Sequence, residues 1–280
     1  MKIFKTIQEL RENISLQKVS GKTIGFVPTM GALHKGHLSL IEQARNENDI
    51  TVCSIFVNPI QFNNKEDYIK YPRSTKSDVL MLEEARCNFL FIPEENEMYA
   101  NEQIINYDLG ELDKNMEGAF RPGHFNGVAV IVKKLFDIVE PHNAYFGQKD
   151  FQQLAIIKYF IKHSNLKVNI VECQTIREND GLAMSSRNLR LSAEERKAAP
   201  IIYRTLIKAQ TEVKSNDIIT IKKMVEKEIN DCPLMKLEYF EIVDAETLHV
   251  VSNLNTHKSV VACIAVYLGN VRLIDNVKFL

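Results

Sequence analysis

Val27-Pro28-Thr29-Met30-Gly31-Ala32-Leu33-His34-Lys35-Gly36-His37-Leu38-Ser39-Leu40 is the stretch whose reading decides the fold. Before it, Thr23-Ile24-Gly25-Phe26-Val27 is a short apolar run of the kind that forms a buried strand. After it, Leu38, Leu40, Ile41 and Ala44 put one apolar face on a helix. The stretch is therefore a strand, a tight turn and a helix start. Gly31 and Gly36 let the backbone approach a ligand without a Cβ in the way, and the first helical turn carries N–H groups with no partner inside the helix. A turn of this build suits phosphate. His34 and His37 flank Lys35 and Gly36 at the mouth of the helix, where imidazoles can donate to oxygens around a phosphorus. Taken singly, either histidine could be a surface or cap residue. Their place after a strand and at a helix start supplies the context for ligand binding.

Working outward, Ile50-Thr51-Val52-Cys53-Ser54-Ile55-Phe56-Val57 is a nearly continuous apolar run, expected of a central parallel strand covered on both faces. Asn58-Pro59-Ile60-Gln61-Phe62 follows it, placing amides at the carboxyl edge of a sheet, where open α/β sheets hold ligands. Pro59 suits an ordinary turn; Gln61 has no turn role. Residues 63–76 are polar and read as a loop or flap. Asn88-Phe89-Leu90-Phe91-Ile92 is a further strand, stopped by Pro93. Arg121-Pro122-Gly123-His124 leads into an apolar helix ended by Pro141, and Arg121 and His124 either line a pocket or shape a turn. Ala144-Tyr145-Phe146-Gly147, followed by Gln148-Lys149-Asp150 and a helix containing Gln153, repeats the opening arrangement of strand, polar turn and helix. Lys149 and Asp150 could be plain first-turn charges, but Gly147 opens the sheet edge beside them, where Lys149 could face phosphate oxygens.

From Thr175 to Asn188 the chain is polar around Gly181 and carries Ser185, Ser186 and Arg187, read as a mobile phosphate clamp because Ser192-Ala193-Glu194-Glu195 already supplies the nearby helix cap. Helices are expected at about 193–214 and 217–231, then strands at 237–243, 259–268 and 271–279, the last two joined by a Gly269-Asn270 hairpin. The chain should thus be α/β: a Rossmann-like parallel sheet with helices on both faces over 1–176, then a smaller α+β domain over 177–280 that closes over the nucleotide. At the start, Thr6-Ile7-Gln8-Glu9 has the spacing of a helix cap.

Composition narrows the function. With 35 basic and 36 acidic residues among 280, the net charge of −1 gives no general attraction to nucleic acid or anionic membrane. The opening residues lack the apolar core and cleavage site of a leader, and no run approaches membrane-spanning length. Cys53, Cys87, Cys173, Cys232 and Cys263 are scattered and lack metal-ligand spacing, as reduced core cysteines of a cytoplasmic protein would be.

The His-x-Gly-His turn resembles the signature of the nucleotidyltransferase superfamily that includes class I aminoacyl-tRNA synthetases. The longer stretch around it is similar to the pantoate–β-alanine ligase family. Further blocks at 54–62, 71–73, 121–128, 145–154 and 177–188 follow in that family's order, while Ala100 departs from the Pro it has after Tyr99.

The resemblance implies ATP-dependent condensation of pantoate with β-alanine through a pantoyl adenylate, giving pantothenate, AMP and pyrophosphate, with Mg²⁺ alongside ATP, in a homodimer. It implies that His37, His34 and Lys149 act in catalysis, His37 as a proton donor favoured in its protonated form by the triphosphate. ATP contacts are implied for Met30, Gly31, Ala32, Leu33, His34, Lys35, Gly36, His37, Gly147, Gln148, Lys149, Asp150, Ile176, Met184, Ser185, Ser186 and Arg187. Gln61 and Gln153 would hold pantoate, and Gln61 would also border β-alanine. Two other functions are compatible with the fold: a nucleotidyltransferase that leaves the nucleotide on its acceptor, and an idle nucleotide- or RNA-binding module.

Overall fold

A computed structural model describes residues 1–100 and 105–280. Nine strands are present among them: β1 Lys2–Phe4, β2 Ile24–Thr29, β3 Ile50–Ile55, β4 Phe89–Phe91, β5 Asn143–Gly147, β6 Asn169–Cys173, β7 Met235–Asp244, β8 Val260–Leu268 and β9 Val271–Lys278. The helices are α1 Ile7–Val19, α2 Lys35–Glu47, α3 Lys65–Lys70, α4 Thr75–Glu84, α5 Glu95–Tyr99, α6 Met116–Phe120, α7 His124–Val139, α8 Phe151–His163, α9 Ala193–Ala198, α10 Ile201–Glu212 and α11 Ile218–Asn230. Packing divides the chain into two compact units. The first holds Met1–Gly110, Arg121–Gln148 and Ile156–Gln174; the second holds Glu111–Phe120, Lys149–Ala155 and Thr175–Leu280.

The first unit is a six-stranded, all-parallel sheet of order β1-β4-β3-β2-β5-β6. Its strands read as unbroken apolar runs because both faces are covered. On one face Val27, Cys53, Ile55 and Leu90 pack with Leu40, Ile41 and Ala44 of α2 and Leu82 of α4. On the other, Phe26 and Phe146 meet Phe136 of α7 edge to face. From β2 the chain builds outward through β3 and β4, then returns to lay β5 and β6 on the opposite side. The order therefore reverses between β2 and β5, whose residues pair as Gly25 with Asn143 and Phe26 with Ala144. In sheets of this kind the reversal leaves a crevice beyond the carboxyl ends of the two strands, the usual ligand site.

The second unit is a three-stranded antiparallel sheet, β7-β8-β9, packed against α10 and α11 through Leu206, Ile221, Val225, Ile242 and Ile264. Gly269 at φ +55° makes the tight hairpin between β8 and β9. In the same unit α6 is bound to the sheet by a buried ion pair: Arg272 holds both Glu117 oxygens at 2.7 and 2.6 Å, and Tyr239 donates to Glu117 at 2.9 Å.

Three local expectations change. β1, three residues long, is too short to show a periodicity and was not expected. The single helix expected over 193–214 is two, because Pro200 has no N–H to continue the ladder; α9 ends at Ala198, and Pro200 caps α10. Within 63–76, read as a loop, Asn64 caps the short α3 by accepting from the Glu66 N–H.

Candidate functional site

Beyond β2, Gly31 at φ +82° and Ala32 at φ +48° curl the chain before α2. The turn satisfies its own amides. Gly31 N–H donates to Thr29 Oγ1 at 3.2 Å; Ala32 and Leu33 N–H donate to the Asp78 carboxylate at 2.9 and 2.8 Å. The histidines complete the set: Gly36 N–H donates to His34 Nδ1 at 3.2 Å, and His34 N–H donates to His37 Nδ1 at 3.3 Å. His34 and His37 thus form a reciprocal helix cap, with ring centroids 4.0 Å apart. The amides of Gly31, Ala32, Leu33, His34 and Gly36, expected to meet phosphate, thus already have acceptors in the chain. With Nδ1 accepting in each ring, Nε2–H is the donor each histidine has to offer.

Beyond β3, a short 3-10 turn, Pro59–Gln61, carries Gln61. Asn58 and Gln61 are both buried. Asn58 Nδ2 donates to Gln61 Oε1 and to the Gly127 carbonyl, both at 3.1 Å, while Tyr99 donates to Asn58 Oδ1 at 2.7 Å. Gln61 Nε2 lies 2.9 Å from Met30 Sδ, tying the second turn to the first. Arg121 Nη1 stands 3.2 Å from His124 Nε2, and His124 Nδ1 stands 2.7 Å from the Gln61 carbonyl. A guanidinium can only donate, so His124 Nε2 accepts and Nδ1–H donates to Gln61. Asn58 and His124 thus bond Gln61, and Arg121 bonds His124.

Beyond β5, the third turn begins at Gly147, where a Cβ would meet no described atom within 4 Å. β5 lies beside β2, so the exits at Thr29 and Gly147 share one edge of the sheet. Met30, Gly31, Ala32, Leu33, His34, Lys35, Gly36, His37, Gln61, Gly147 and Gln148 all belong to the first unit.

The other candidates belong to the second unit. Lys149, its side chain largely buried, has Nζ 3.4 Å from Asp150 Oδ1, and its carbonyl accepts from Asn276 Nδ2 at 2.9 Å. On α8, Gln152 Nε2 donates to the carbonyls of Leu112 and Asn115, both at 2.8 Å, whereas Gln153 is half-buried. Residues 176–184 form a small hairpin closed at Met184 N–H to Ile176 carbonyl, 3.0 Å, turning at Gly181 with φ +93°. Arg177 fixes it, pairing with both oxygens of buried Asp275 at 2.6 and 2.9 Å and lying 3.7 Å over the Tyr203 ring. Ser185, read as spare for phosphate, caps the 3-10 turn Ser186–Arg190 by accepting from Arg187 N–H at 3.2 Å. Its hydroxyl proton can still be donated.

Asp78, Tyr99, Asp275 and Asn276 escaped the sequence reading. For Asp78 a signal existed: it precedes Leu82 by one helical repeat, so it falls on the buried stripe of α4, where an isolated carboxylate calls for a partner. Asp275 alternates with buried Leu273 and Val277 along β9 and carries the same signal.

A family model described as pantoate-β-alanine ligase matches residues 2–278. The pantothenate synthetase of Bacteroides fragilis (strain YCH46) is 51% identical over 279 residues, spanning 100% of this chain and 99% of that protein. That of Porphyromonas gingivalis (strain W83) is 48% identical with the same coverage. Among solved structures, the pantothenate synthetase of Thermus thermophilus superposes with a TM-score of 0.93 at 40% identity, covering 100% of this chain and 99% of that one. The pantoate-β-alanine ligase of Francisella tularensis, complexed with beta-gamma ATP and β-alanine, gives 0.81 at 34% identity, covering 100% and 98%.

Proposed function

This chain belongs to the pantoate–β-alanine ligase family, and we propose that its strand-exit turns hold ATP and pantoate for formation of a pantoyl adenylate. The enzyme condenses (R)-pantoate with β-alanine at the expense of ATP. In the proposed route a pantoate carboxylate oxygen bonds to the α-phosphorus, and the bond to the bridging oxygen breaks, pyrophosphate leaving with the electron pair. The neutral β-alanine amine then attacks the acyl carbon, AMP departs, and the amine loses a proton. No protein nucleophile is needed, so the work is positioning and charge stabilisation.

The best support is the adjacency of β2 and β5 at the reversal of strand order, together with the Gln61–Met30 contact that joins the second turn to the first. Gln61 keeps one lone pair on Oε1 and one proton on Nε2 for pantoate, and the thioether at Met30 is a weak acceptor that a carboxylate or hydroxyl oxygen displaces. Amides suit this acid: an arginine clamped on it would blunt the attacking oxygen. His34 and His37 donate to phosphate oxygens through Nε2–H, the other residues of Met30–His37 and of Gly147–Gln148 line ATP, and Lys149 contributes positive charge. Asp150, Ile176, Met184, Ser185, Ser186 and Arg187 complete the ATP contacts, Gln153 binds pantoate, and Gln61 borders β-alanine. A second domain over 177–280, closing over ATP, would keep water from the mixed anhydride.

Among the described residues no three His, Cys, Asp or Glu side chains converge on a metal site. Mg²⁺ would accompany the triphosphate and offset its charge, the common habit of this ion with nucleotide phosphates. The reading extends to a homodimer in the cytoplasm with no nucleic-acid or membrane partner, supported by the family resemblance, the near-neutral charge and five free cysteines. Among the described residues no helix is long and apolar enough to cross a membrane. The test is ATP–pyrophosphate exchange, expected to require pantoate and not β-alanine.

A further inference from the structure

Asp78 is 1% exposed, yet its carboxylate lies under the signature turn rather than against a lysine or arginine. Oδ2 accepts from Ala32 N–H at 2.9 Å; Oδ1 accepts from Leu33 N–H at 2.8 Å and from the Ser74 hydroxyl at 3.0 Å. Gly31 and Ala32, both at positive φ, aim successive amides at one point, the concavity that elsewhere receives a phosphate or other anion. The fit is close: a Cβ on Gly31 would stand 3.1 Å from Asp78 Oδ2 and 3.0 Å from Ile55 Cγ2. The first-turn site therefore already has an anion, supplied by α4.

We propose that Asp78 is a positioning residue: a built-in carboxylate that fills the backbone nest of the signature turn and fixes its curl so that His34 and His37 stand as donors toward ATP. Its counter-ligand Ser74 opens α4, so the carboxylate also links the end of the 63–76 segment to the turn. The inference rests on the reading of this turn as the ATP site. It does not make Asp78 a substrate contact.

The consequence is specific to the chemistry. Asp78→Ala leaves two convergent N–H groups around a small hole that a formate ion can enter. Asp78→Asn keeps the volume but turns an NH₂ toward an N–H, losing a charge-assisted bond worth roughly 10–100-fold. Both variants are expected to raise the KM for ATP and lower kcat, with the KM for β-alanine unchanged. Formate should restore Asp78→Ala by at least about tenfold in kcat/KM for ATP, saturably, and should do nothing for wild type or Asp78→Asn. The pantoate-dependent exchange of the wild type, run alongside, tests the functional reading by itself; its absence would fail that reading and not this inference. With wild-type exchange intact, the inference is overturned if Asp78→Asn keeps wild-type KM and kcat, or if Asp78→Ala is folded by circular dichroism and formate gives no rescue. Should Asp78→Ala not fold, Asp78→Asn and Ser74→Ala decide, the latter expected to raise the KM for ATP a few fold; ATP kinetics unaltered in both would overturn it.

Discussion

Gly127 stands against Gln61 with no room for a side chain: a Cβ there would lie 2.6 Å from the Gln61 Cα and 2.5 Å from the Ile60 carbonyl oxygen. The first turns of α7 thus press on the segment carrying the amide we assign to pantoate, and two bonds join them: His124 to the Gln61 carbonyl and Asn58 to the Gly127 carbonyl. Gly127→Ala should raise the KM for pantoate about tenfold and cost roughly 1–3 kcal/mol of stability, the usual result of overpacking a tight contact. Steady-state kinetics with each substrate varied, together with a thermal melt, check both halves. Unchanged pantoate kinetics would show that the segment can yield.

His37→Ala should lower turnover by roughly 10²–10⁴-fold, the range for a positioned proton-handling group. The reciprocal cap with His34 adds a spectroscopic expectation: nitrogen NMR should find Nδ1 of both rings unprotonated and Nε2 protonated at neutral pH. A proton on Nδ1 of His37 would contradict the reciprocal cap.

The neighbours Gln152 and Gln153 should separate cleanly. Gln153→Ala should weaken pantoate use more than ATP use. Gln152→Ala strips the donor from two carbonyls, at Leu112 and Asn115, and should lower the melting temperature, each orphaned group costing about 1–3 kcal/mol, with smaller kinetic effects. Equal effects of Gln153→Ala on both substrates would reject its role.

Asp244 gives the C-terminal sheet an acid-sensitive point. Burial pushes its carboxyl up, but the Thr247 and Glu246 N–H groups, the His257 ring and the Thr247 hydroxyl outweigh it and bring the pKa from 3.8 down to about 2. A carboxyl depressed in the folded state stabilises fully above its unfolded value, and that stability is lost as pH falls from about 4 toward 2. Asp244→Asn should therefore cost roughly 1–2 kcal/mol at pH 7 and about a third of that at pH 2.5. Denaturant melts at both pH values measure it; a difference that grows on acidification would reverse the sign.

Much of this architecture could be read from the chain. The unbroken apolar run of β3 reported a strand with both faces covered, and Gly269-Asn270 reported its hairpin, because those signals are local. The helix expected over 193–214 failed at Pro200, where an apolar periodicity outweighed a breaker in the reading. The turns that carry His34, His37 and Gln61 could be read from the strands before them, but the supports of the candidate residues could not: Asp78 reaches Ala32 across 46 residues, and Asn276 reaches Lys149 across 127. Such bonds depend on which strands become neighbours, and no periodicity in one segment reports that. The capping role of Ser185 was hidden for a related reason, since a 3-10 turn of five residues leaves no apolar period to mark that it needs a cap.

Isotope exchange between pyrophosphate and ATP tests the central claim most directly, because it isolates the step in which pantoate meets the α-phosphorus. Label should enter ATP only when pantoate is present, proceed without β-alanine, and nearly vanish in His37→Ala. Exchange that ignores pantoate, or none with pantoate and Mg²⁺ supplied, would contradict an adenylate formed at the turns beyond β2 and β5.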